Sequence, residues 1–371
     1  MKTMMQKNII LLINAIFFVI SPISMAFQHD GSTLPPPRKL TVEQAKVAAE
    51  NYQKYCSLCH GADRQGHAND HAPSLRSKSL MESGVAHQIL RPMSYGRKGT
   101  AMGGYLDEVG GPMTLDETWD LTYWLFEQAG VERLKFSTNP VAGDIKKGEK
   151  AYLDNCTTCH GVNGEGITAP ALGNQSALAH NTDEFIRHAI RNGRQNTPML
   201  AFKDKLPAED IDNITAFLRS KALGWKDEKI ILKALPKPEE YVFNPEGDDP
   251  DFDLTEDKYV SSEELYAALE AKNRMVLIDT RVTSVWQNAH IEGSIPFPYY
   301  KDVDINKTVA GIPKDVQIVA YCSCPRAAAD YTINKLAKLG YTRTAVLYEG
   351  IFGWMNKGFP VMRGDIKGVK D

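Results

Sequence analysis

Two short stretches of the chain combine residues that can bind a metal cofactor covalently. One reads Cys-Ser-Leu-Cys-His from Cys56, and the other reads Cys-Thr-Thr-Cys-His from Cys156. This spacing is the attachment signal for c-type haem, because two thiols about one helical turn apart can form thioethers with the two vinyl groups of the porphyrin. The histidine that follows can then reach the iron from one face. We therefore predict two covalent c-type haems, attached through Cys56, Cys59, His60, Cys156, Cys159 and His160.

Zinc is the alternative cofactor for such cysteine pairs. A zinc ion would need four thiolate or imidazole ligands, so the two motifs would have to come together in space. Each motif is instead followed by its own glycine-rich turn, at residues 61–66 and 161–166. Two copies with the same following turn argue against a chance match, and haem is the preferred interpretation.

The composition is that of an ordinary soluble globular chain. The 371 residues are 43% hydrophobic and 24% charged, and this length predicts two or three domains of about 100–150 residues each. The formal net charge of −3 gives no electrostatic basis for binding nucleic acid, so no such partner is expected. Six cysteines are too few for a disulfide scaffold. The haem motifs use four of them, which leaves Cys322 and Cys324.

The first 26 residues have the pattern of an export signal. Two lysines lead into an apolar stretch at residues 9–20, and Ser24-Met25-Ala26 offers a small-x-small cleavage site. The alternative is a retained membrane anchor, but the apolar stretch is shorter than the ~20 residues that a spanning helix needs. We therefore expect a signal peptide at 1–26, a tether at 27–40 and a periplasmic protein. Membrane contact is expected only through an uncleaved N-terminus.

Two predicted helical units surround the haem motifs, at residues 41–135 and 141–224. In each unit a helix leads into the motif, an irregular loop with an Ala-Pro pair follows, and another helix closes the unit. The helix starts are predicted from capping residues. These are Thr41 with Gln44, Thr114 with Glu117, and Asp144.

Both units resemble class I cytochrome c domains in their haem motifs, their Ala-Pro segments and this order of elements. The resemblance implies all-α domains that carry electrons. It also implies that the proline carbonyl in each loop accepts a hydrogen bond from the histidine that ligates the iron. Pro73 would then serve His60, and Pro170 would serve His160.

The sixth iron ligand in that family is a methionine on the loop before the closing helix. Met199 fits this position in the second unit, and Met102 fits it in the first. Met93 and Met113 are rival ligands in the first unit, and His87 would give a bis-histidine haem. The alternative for any one methionine is that it fills a gap in the core. Methionine ligation predicts haems of fairly high potential.

The remainder of the chain divides into residues 225–257 and 258–371. The first part alternates proline with acidic residues, which predicts a solvated linker that lets the next domain move independently. The alternative is an acidic docking patch for a basic partner. The second part has apolar runs at Met275–Ile278, Val316–Tyr321 and Thr344–Leu347, which predict buried parallel strands in an α/β domain.

The last part resembles the rhodanese family over roughly 110 residues. The matching motifs are Asp279-Thr-Arg, His290-Ile-Glu-Gly-Ser-Ile, Tyr321-Cys and Glu349-Gly-Ile-Phe-Gly-Trp. The resemblance implies that Cys322 carries a persulfide and passes sulfur to a thiophilic acceptor. It also places Asp279, Arg281 and His290 in roles that hold the fold through buried polar bonds.

The predicted catalytic residues are Cys322, Cys324 and Arg326. They lie between a strand and a helix, where free amides and the helix dipole lower the pKa of a thiol. The loop departs from the family pattern, because Arg326 comes one residue early and Pro325 has no N–H to donate. A disulfide between Cys322 and Cys324 would be strained and easily reduced. Two interpretations stay open: both thiols are simply buried, or Cys322 carries sulfur and Cys324 resolves it.

These patterns predict two all-α cytochrome c domains followed by an α/β rhodanese-like domain with a parallel sheet. The preferred function is an exported dihaem electron carrier with thiosulfate or persulfide sulfurtransferase activity. One alternative is a respiratory shuttle whose rhodanese-like domain is an inactive docking or thiol-sensing module. Another is a small haem peroxidase, which the predicted methionine ligands argue against. The expected partners are redox proteins of a respiratory or sulfur-oxidising chain and small sulfur compounds.

Overall fold

The computed structural model describes residues 38–67, 72–195, 197–226, 230–300, 304–323 and 327–366. The predicted signal peptide, most of the tether, and the segment from Cys324 to Arg326 lie outside these residues. No helix within the described ranges is both long enough and apolar enough to cross a membrane.

The described residues of the first helical unit form five α-helices, a π-helical turn at Tyr52–Cys56 and a 3-10 turn at Asp107–Val109. The helices are α1 (Val42–Asn51), α2 (Ser57–His60), α3 (Lys78–Ser83), α4 (Ala86–Tyr95) and α5 (Leu115–Ala129). The predicted capping boxes are confirmed, because Thr41 and Gln44 exchange side-chain and backbone hydrogen bonds, as do Thr114 and Glu117. Each box satisfies amides that the first helical turn leaves without a partner. The helix into Cys56 differs from the expected uniform α-helix in its last turn.

The second helical unit repeats the same order of helices. They are α6 (Ile145–Asn155), α7 (Thr157–His160), α8 (Gln175–His180), α9 (Asp183–Asn192) and α10 (Ala208–Ser220). Asp144 caps α6 by accepting hydrogen bonds from the amides of Lys146 and Lys147, as predicted. The predicted apolar stripe of α10 is buried against Tyr152. In each unit the first long helix packs on the last one, and the haem motif follows directly after the first.

Polar contacts join the two helical units. The Arg194 Nη1 donates to the carbonyl oxygen of Ser79 at 3.0 Å, and the amide of Gln195 donates to Ser79 Oγ at 3.2 Å. The Asn174 Nδ2 donates to the carbonyl oxygen of Lys98 at 2.9 Å. The loops around the two predicted methionine ligands therefore contact the neighbouring unit.

The C-terminal part is an α/β domain around a five-stranded parallel sheet with strand order β2-β6-β5-β3-β4. Its strands are β2 (Tyr259–Val260), β3 (Met275–Asp279), β4 (Ser294–Pro296), β5 (Gln317–Tyr321) and β6 (Thr344–Leu347). Its helices are α11 (Ser262–Glu270), α12 (Thr283–Asn288), α13 (Ile305–Val309), α14 (Ala327–Lys338) and α15 (Gly350–Asn356). An antiparallel pair, β1 (Ile230–Ile231) with β7 (Asp365–Ile366), lies apart from this sheet. β3 and β5 are buried along their whole length, as their continuous apolar sequences predict.

Residues 230–257 pack on the α/β domain and do not form the predicted solvated linker. Phe243 and Met275 exchange backbone hydrogen bonds of 2.8 and 3.1 Å. The carboxylate of Asp249 pairs with Arg274 at 2.9 Å and with Arg343 at 2.6 Å. The linker prediction is wrong for residues 230–257, because their backbone pairs with Met275 and one of their carboxylates, that of Asp249, binds two arginines of the folded domain.

Candidate functional site

The first haem motif holds its histidine in a defined orientation. His60 ends α2 and is buried, and its Nδ1 lies 2.9 Å from the carbonyl oxygen of Pro73. Because a carbonyl only accepts hydrogen bonds, Nδ1 carries the proton, and Nε2 keeps the lone pair that a metal needs. Burial lowers the pKa of His60, although the hydrogen bond to Pro73 opposes this. The ring is therefore neutral at pH 7, which is the form that binds iron.

The second motif has the same geometry. His160 Nδ1 lies 2.9 Å from the carbonyl oxygen of Pro170, and burial also lowers the pKa of this histidine. In both units a buried tyrosine hydroxyl donates to the carbonyl of the glycine after the histidine. These bonds are Tyr52 Oη to Gly61 O at 2.7 Å and Tyr152 Oη to Gly161 O at 2.8 Å. The tyrosines fix the turn that follows each motif, and sequence reasoning missed this role.

The cysteine positions suit a thioether. Burial raises the pKa of the Cys56 thiol to about 12 and that of Cys156 to about 11. Both sulfur atoms therefore lie in surroundings that disfavour charge. A thioether carries none, so these positions fit covalent attachment of haem. No three His, Cys, Asp or Glu side chains among the described residues come together as a metal-ion site.

The two loops with the predicted methionine ligands share one hydrogen-bond pattern. In each loop an arginine amide donates to the methionine carbonyl, at 2.8 Å in the first and 2.9 Å in the second. A threonine hydroxyl accepts from the methionine amide, at 3.2 Å in both. The residues are Arg97, Thr100 and Met102, and Arg194, Thr197 and Met199. The repeated sequence Gly-Arg-x-x-Thr-x-Met, at 96–102 and 193–199, is a signal that sequence reasoning overlooked.

The rival ligands of the first unit occupy different places. Met93 is 4% exposed and Met113 is 1% exposed, and both belong to the hydrophobic core. His87 makes an edge-on ring contact with Trp119 at 5.3 Å. Met102 lies at the margin of the same core and is only partly buried. The ligand roles of Met102 and Met199 stay predictions, and the repeated loop favours them.

In the α/β domain, Cys322 directly follows β5 at the carboxyl end of the sheet. Only 2% of the surface of Cys322 is exposed. The amide of Ile351 donates to the Cys322 carbonyl at 3.0 Å. Gly350 has a φ of +62°, and a Cβ at this position would lie 2.5 Å from that carbonyl oxygen. Glycine at 350 is therefore required for the chain of α15 to pass beside Cys322.

The polar residues beside this cysteine form a buried network. The Arg281 guanidinium donates to the Asp279 carboxylate at 2.8 and 2.5 Å. Burial by itself lowers the pKa of Arg281, but the charge of Asp279 and its hydrogen bonds outweigh this and hold the pKa above its usual value. His290 Nδ1 donates to the carbonyl of Trp286 at 2.6 Å. These contacts match the structural roles predicted for the three residues, while Cys324 and Arg326 lie outside the described residues.

Comparison with known proteins separates the two parts of the chain. The family model for subunit III of cbb3-type cytochrome c oxidase matches residues 143–218, and the rhodanese-like domain model matches residues 261–357. Cytochrome c6 of Gracilaria tenuistipitata var. liui is 31% identical over 88 residues, which are 23% of this chain and 80% of that protein. The chain belongs to the cytochrome c family. This cytochrome therefore has a c-type electron-transfer domain with iron-containing haem, followed by a rhodanese-like domain.

Two longer relatives are similar to this cytochrome. The CcoP subunit of the cbb3-type cytochrome c oxidase of Helicobacter pylori (strain 52) is 27% identical over 155 residues, which are 41% of this chain and 49% of that protein. The FixP subunit of Bradyrhizobium diazoefficiens is 26% identical over 173 residues, which are 44% of this chain and 57% of that protein. The cytochrome thus spans about half the length of these curated relatives.

Proposed function

We propose that the protein is an exported dihaem c-type cytochrome whose rhodanese-like domain binds or transfers sulfur through Cys322. The observation that best supports two haems is the repeated hydrogen bond from histidine to the proline carbonyl, 2.9 Å long in both units. The family model covers only the second unit, but the alignments with CcoP and FixP extend over 155 and 173 residues. Each alignment is longer than either helical unit, which supports the proposal that the first helical unit is also a cytochrome c domain.

The residues of each unit have separate tasks in this proposal. The cysteines would hold the haem, the histidine and methionine would ligate its iron, and the bound haem supplies a one-electron redox centre. The carbonyls of Pro73 and Pro170 orient the imidazoles. Burial of His60 and His160 excludes water from the ligand, which together with thioether ligation favours a high potential.

Intact mass and absorption spectra test the haem proposal. The mature protein should carry two haem masses, and the paired substitution of Cys156 and Cys159 by Ala should leave one. A single haem in the wild-type protein would contradict the proposal. The oxidised protein should show the weak red-end band of methionine-ligated haem, with part of it lost in Met102→Ala and part in Met199→Ala. Persistence of the whole band in either variant would refute that ligand.

The sulfur proposal is tested with thiosulfate. The Cys322 thiolate would attack the outer sulfur, form a persulfide and release sulfite, so that one S–S bond forms as another breaks. The protein should gain the mass of one sulfur, cyanide should remove it as thiocyanate, and Cys322→Ser should not gain it. A protein that gains no sulfur would contradict this proposal.

Burial of Cys322 favours a second candidate function for the rhodanese-like domain. The residue is 2% exposed and packs with Leu58 and Tyr299, which suits a docking or thiol-sensing module without turnover. A protein with two haems and no sulfur gain would support it. In either case we propose a periplasmic location and redox proteins of a respiratory or sulfur-oxidising chain as partners.

A further inference from the structure

The α/β domain covers the first helical unit and contributes to its core. Val282 and Tyr300 are buried in the same cluster as Tyr55 and Tyr105 of the first unit. The hydroxyl of Ser284 donates to the carbonyl of Gly104, two residues after Met102. Among the described residues, the core cluster of the second unit contains no residue of the α/β domain. The two haem motifs therefore have different surroundings.

Cys322 also takes part in the contact with the first helical unit. Cys322 and Ala328 form a buried cluster against which Leu58 and Tyr299 pack. Leu58 is the residue immediately before Cys59 in the haem motif. The Tyr299 hydroxyl donates to the carbonyl of Tyr55, immediately before Cys56, at 3.2 Å. A single layer of side chains thus connects the rhodanese-like cysteine with both ends of the first attachment motif.

Aromatic rings fill the rest of this contact. The rings of Tyr55 and Tyr300 have centroids 4.8 Å apart at 78°, and those of Tyr299 and Tyr300 are 5.5 Å apart. Burial, together with nearby cysteine and tyrosine groups, raises the pKa of both Tyr105 and Tyr299 well above the usual value. Tyr105 and Tyr299 are therefore neutral, and the contact is a buried aromatic layer with a few internal hydrogen bonds.

The residues of the first unit that contact the α/β domain differ from the residues at the equivalent positions of the second unit. Leu58 corresponds to Thr158, which is exposed, and Tyr55 corresponds to Asn155, which is also exposed. Gly103 has Val282 beside it, so that a Cβ would lie 2.3 Å from Val282 Cγ1. The second unit has Leu200 at this position, with 58% of its surface exposed. The first unit therefore carries residues that fit the α/β domain, and the second does not.

We propose that a small sulfur nucleophile, inorganic sulfide, is oxidised at Cys322 and that its electrons enter the haem of the first unit across the Leu58–Tyr299 layer. This inference rests on the proposed function, because it needs both haems and a reactive Cys322. The Cys322 thiolate and HS⁻ form one S–S bond, giving the persulfide anion, one proton and two electrons. Those two electrons would be taken up by the two bound haems in their ferric form, one electron each. Sulfide is the smallest sulfur nucleophile and is therefore the one least hindered by the burial of Cys322.

A thiol or sulfite would then remove the outer sulfur of the persulfide and restore the thiolate without further redox change. The exposed second unit is the side from which electrons leave to a partner, since Cys159 and Leu200 are exposed there. The chain would therefore pass electrons from a covered sulfur site through the haem of the first unit to that of the second, whose attachment residue Cys159 is exposed.

The test uses the haem-loaded full chain in the ferric state without oxygen. Sodium sulfide is mixed with the protein, haem reduction is followed by absorption, and sulfur at Cys322 is measured by intact mass. We expect one persulfide for each pair of reduced haems, and no persulfide and little reduction in Cys322→Ser. Tyr299→Ala should slow haem reduction by about tenfold or more. Tyr331→Ala is the control and should not slow it, because Tyr331 lies in α14 and belongs to neither of the clusters that form this contact. Sulfur loading by thiosulfate should be unchanged in Tyr331→Ala.

A second measurement does not depend on turnover. Loading Cys322 from thiosulfate places a persulfide anion beside the first haem without any net redox change. A negative charge stabilises the ferric state, so the midpoint potential of one haem should fall while that of the other stays constant.

Tyr299→Phe keeps the ring and loses the hydrogen bond to Tyr55, and it replaces Tyr299→Ala in the reduction experiment if Tyr299→Ala does not fold. Unchanged potentials of both haems would overturn the proposal.

The remaining outcomes separate this inference from the proposed function. If thiosulfate loads Cys322 but sulfide reduces no haem, the inference is wrong and the proposed function stands. If Cys322→Ser is reduced by sulfide as fast as the wild type, the inference is also wrong. If neither thiosulfate nor sulfide puts sulfur on Cys322, the sulfur part of the proposed function fails, and the inference fails with it.

Discussion

Gly148 lies in α6 where this helix crosses α10. A Cβ added to Gly148 would lie 1.9 Å from the carbonyl oxygen of Asn213 and 3.0 Å from the backbone nitrogen of Ile214. Both atoms belong to the main chain of α10, which cannot rotate away as a flexible side chain can. We therefore predict that Gly148→Ala pushes α6 and α10 apart and destabilises the second helical unit.

Two effects of opposite sign set the size of this change. Alanine is better than glycine inside a helix by about 1 kcal/mol, whereas overpacking a close contact costs about 1–3 kcal/mol and occasionally more. Cβ atoms essentially never come closer than 3.0 Å to another heavy atom, so the helices must separate by about 1 Å or more. The contact of Tyr152 with Phe217, with ring centroids 5.4 Å apart, would loosen with them. Because the clash is with main-chain atoms, we expect the cost to lie in the upper part of that range, at about 2–3 kcal/mol. The net loss in the free energy of unfolding is then about 1–2 kcal/mol.

Denaturant unfolding of the haem-loaded full chain, followed by circular dichroism and haem absorption, measures this loss. Gly311→Ala is the matched control, because nothing lies within 4 Å of a Cβ at that position. Its effect should stay within about 0.5 kcal/mol. If Gly148→Ala proved as stable as the wild type or more so, helix propensity would outweigh the helix contact, and the reasoning would be refuted.

Three further predictions concern buried polar groups. Tyr52→Phe and Tyr152→Phe should each cost about 1–3 kcal/mol in denaturant unfolding, because each leaves a buried glycine carbonyl without its donor; no loss in either would contradict this role. Asp279→Asn should destabilise the α/β domain by about 3–5 kcal/mol in thermal unfolding, because Arg281 stays buried without its counter-charge; a change below 1 kcal/mol would contradict that. Burial lowers the pKa of His290, so as the pH falls the unfolded chain takes up this proton before the folded chain does. The contribution of His290 to the free energy of unfolding should therefore be complete above about pH 6.5 and decrease below it. His290→Asn should flatten this dependence in unfolding at about pH 7.5 and 5.5, and an unchanged slope would count against His290.

Matched controls separate these effects from general destabilisation. For Asp279, the control is Asp315→Asn, since the Asp315 side chain is 74% exposed in its pair with Arg274 and exposed ion pairs contribute about 0–1 kcal/mol. For His290, urea unfolding of the wild type and the variant at the same two pH values isolates the proton-linked part. The charges that face His290 are those of Lys233, Asp279 and Arg281, and none of them is changed in this variant.

Sequence reasoning located the local features correctly. The capping boxes at Thr41 and Thr114 were predicted and are present, and the strand predicted at Thr344–Leu347 has those bounds. Such features depend on residues within a few positions of one another, so their pattern in the chain is sufficient. The repeated methionine loop was equally local, and comparing residues 96–102 with 193–199 could have identified its arginine and threonine.

The linker shows where a compositional argument fails. Proline and acidic residues predict a solvated segment when they have no partners. Asp249 has two arginine partners that lie far from it in the sequence. No property of residues 230–257 taken alone reveals those arginines, so the packing of this segment could be found only in the folded domain.

Sequence patterns alone were enough to predict the haem motifs, the helix starts, the buried parallel strands and the position of Cys322 at the end of a strand. Each of these follows from spacing and periodicity within a short stretch of chain. The folded chain was needed to show that the rhodanese-like domain packs against the first haem motif, whereas the described core of the second unit contains none of its residues. The deciding contacts, Ser284 with Gly104 and Tyr299 with Tyr55, join residues 180 and 244 positions apart. Contacts over such separations depend on how whole surfaces fit together, and local sequence patterns contain no record of that fit.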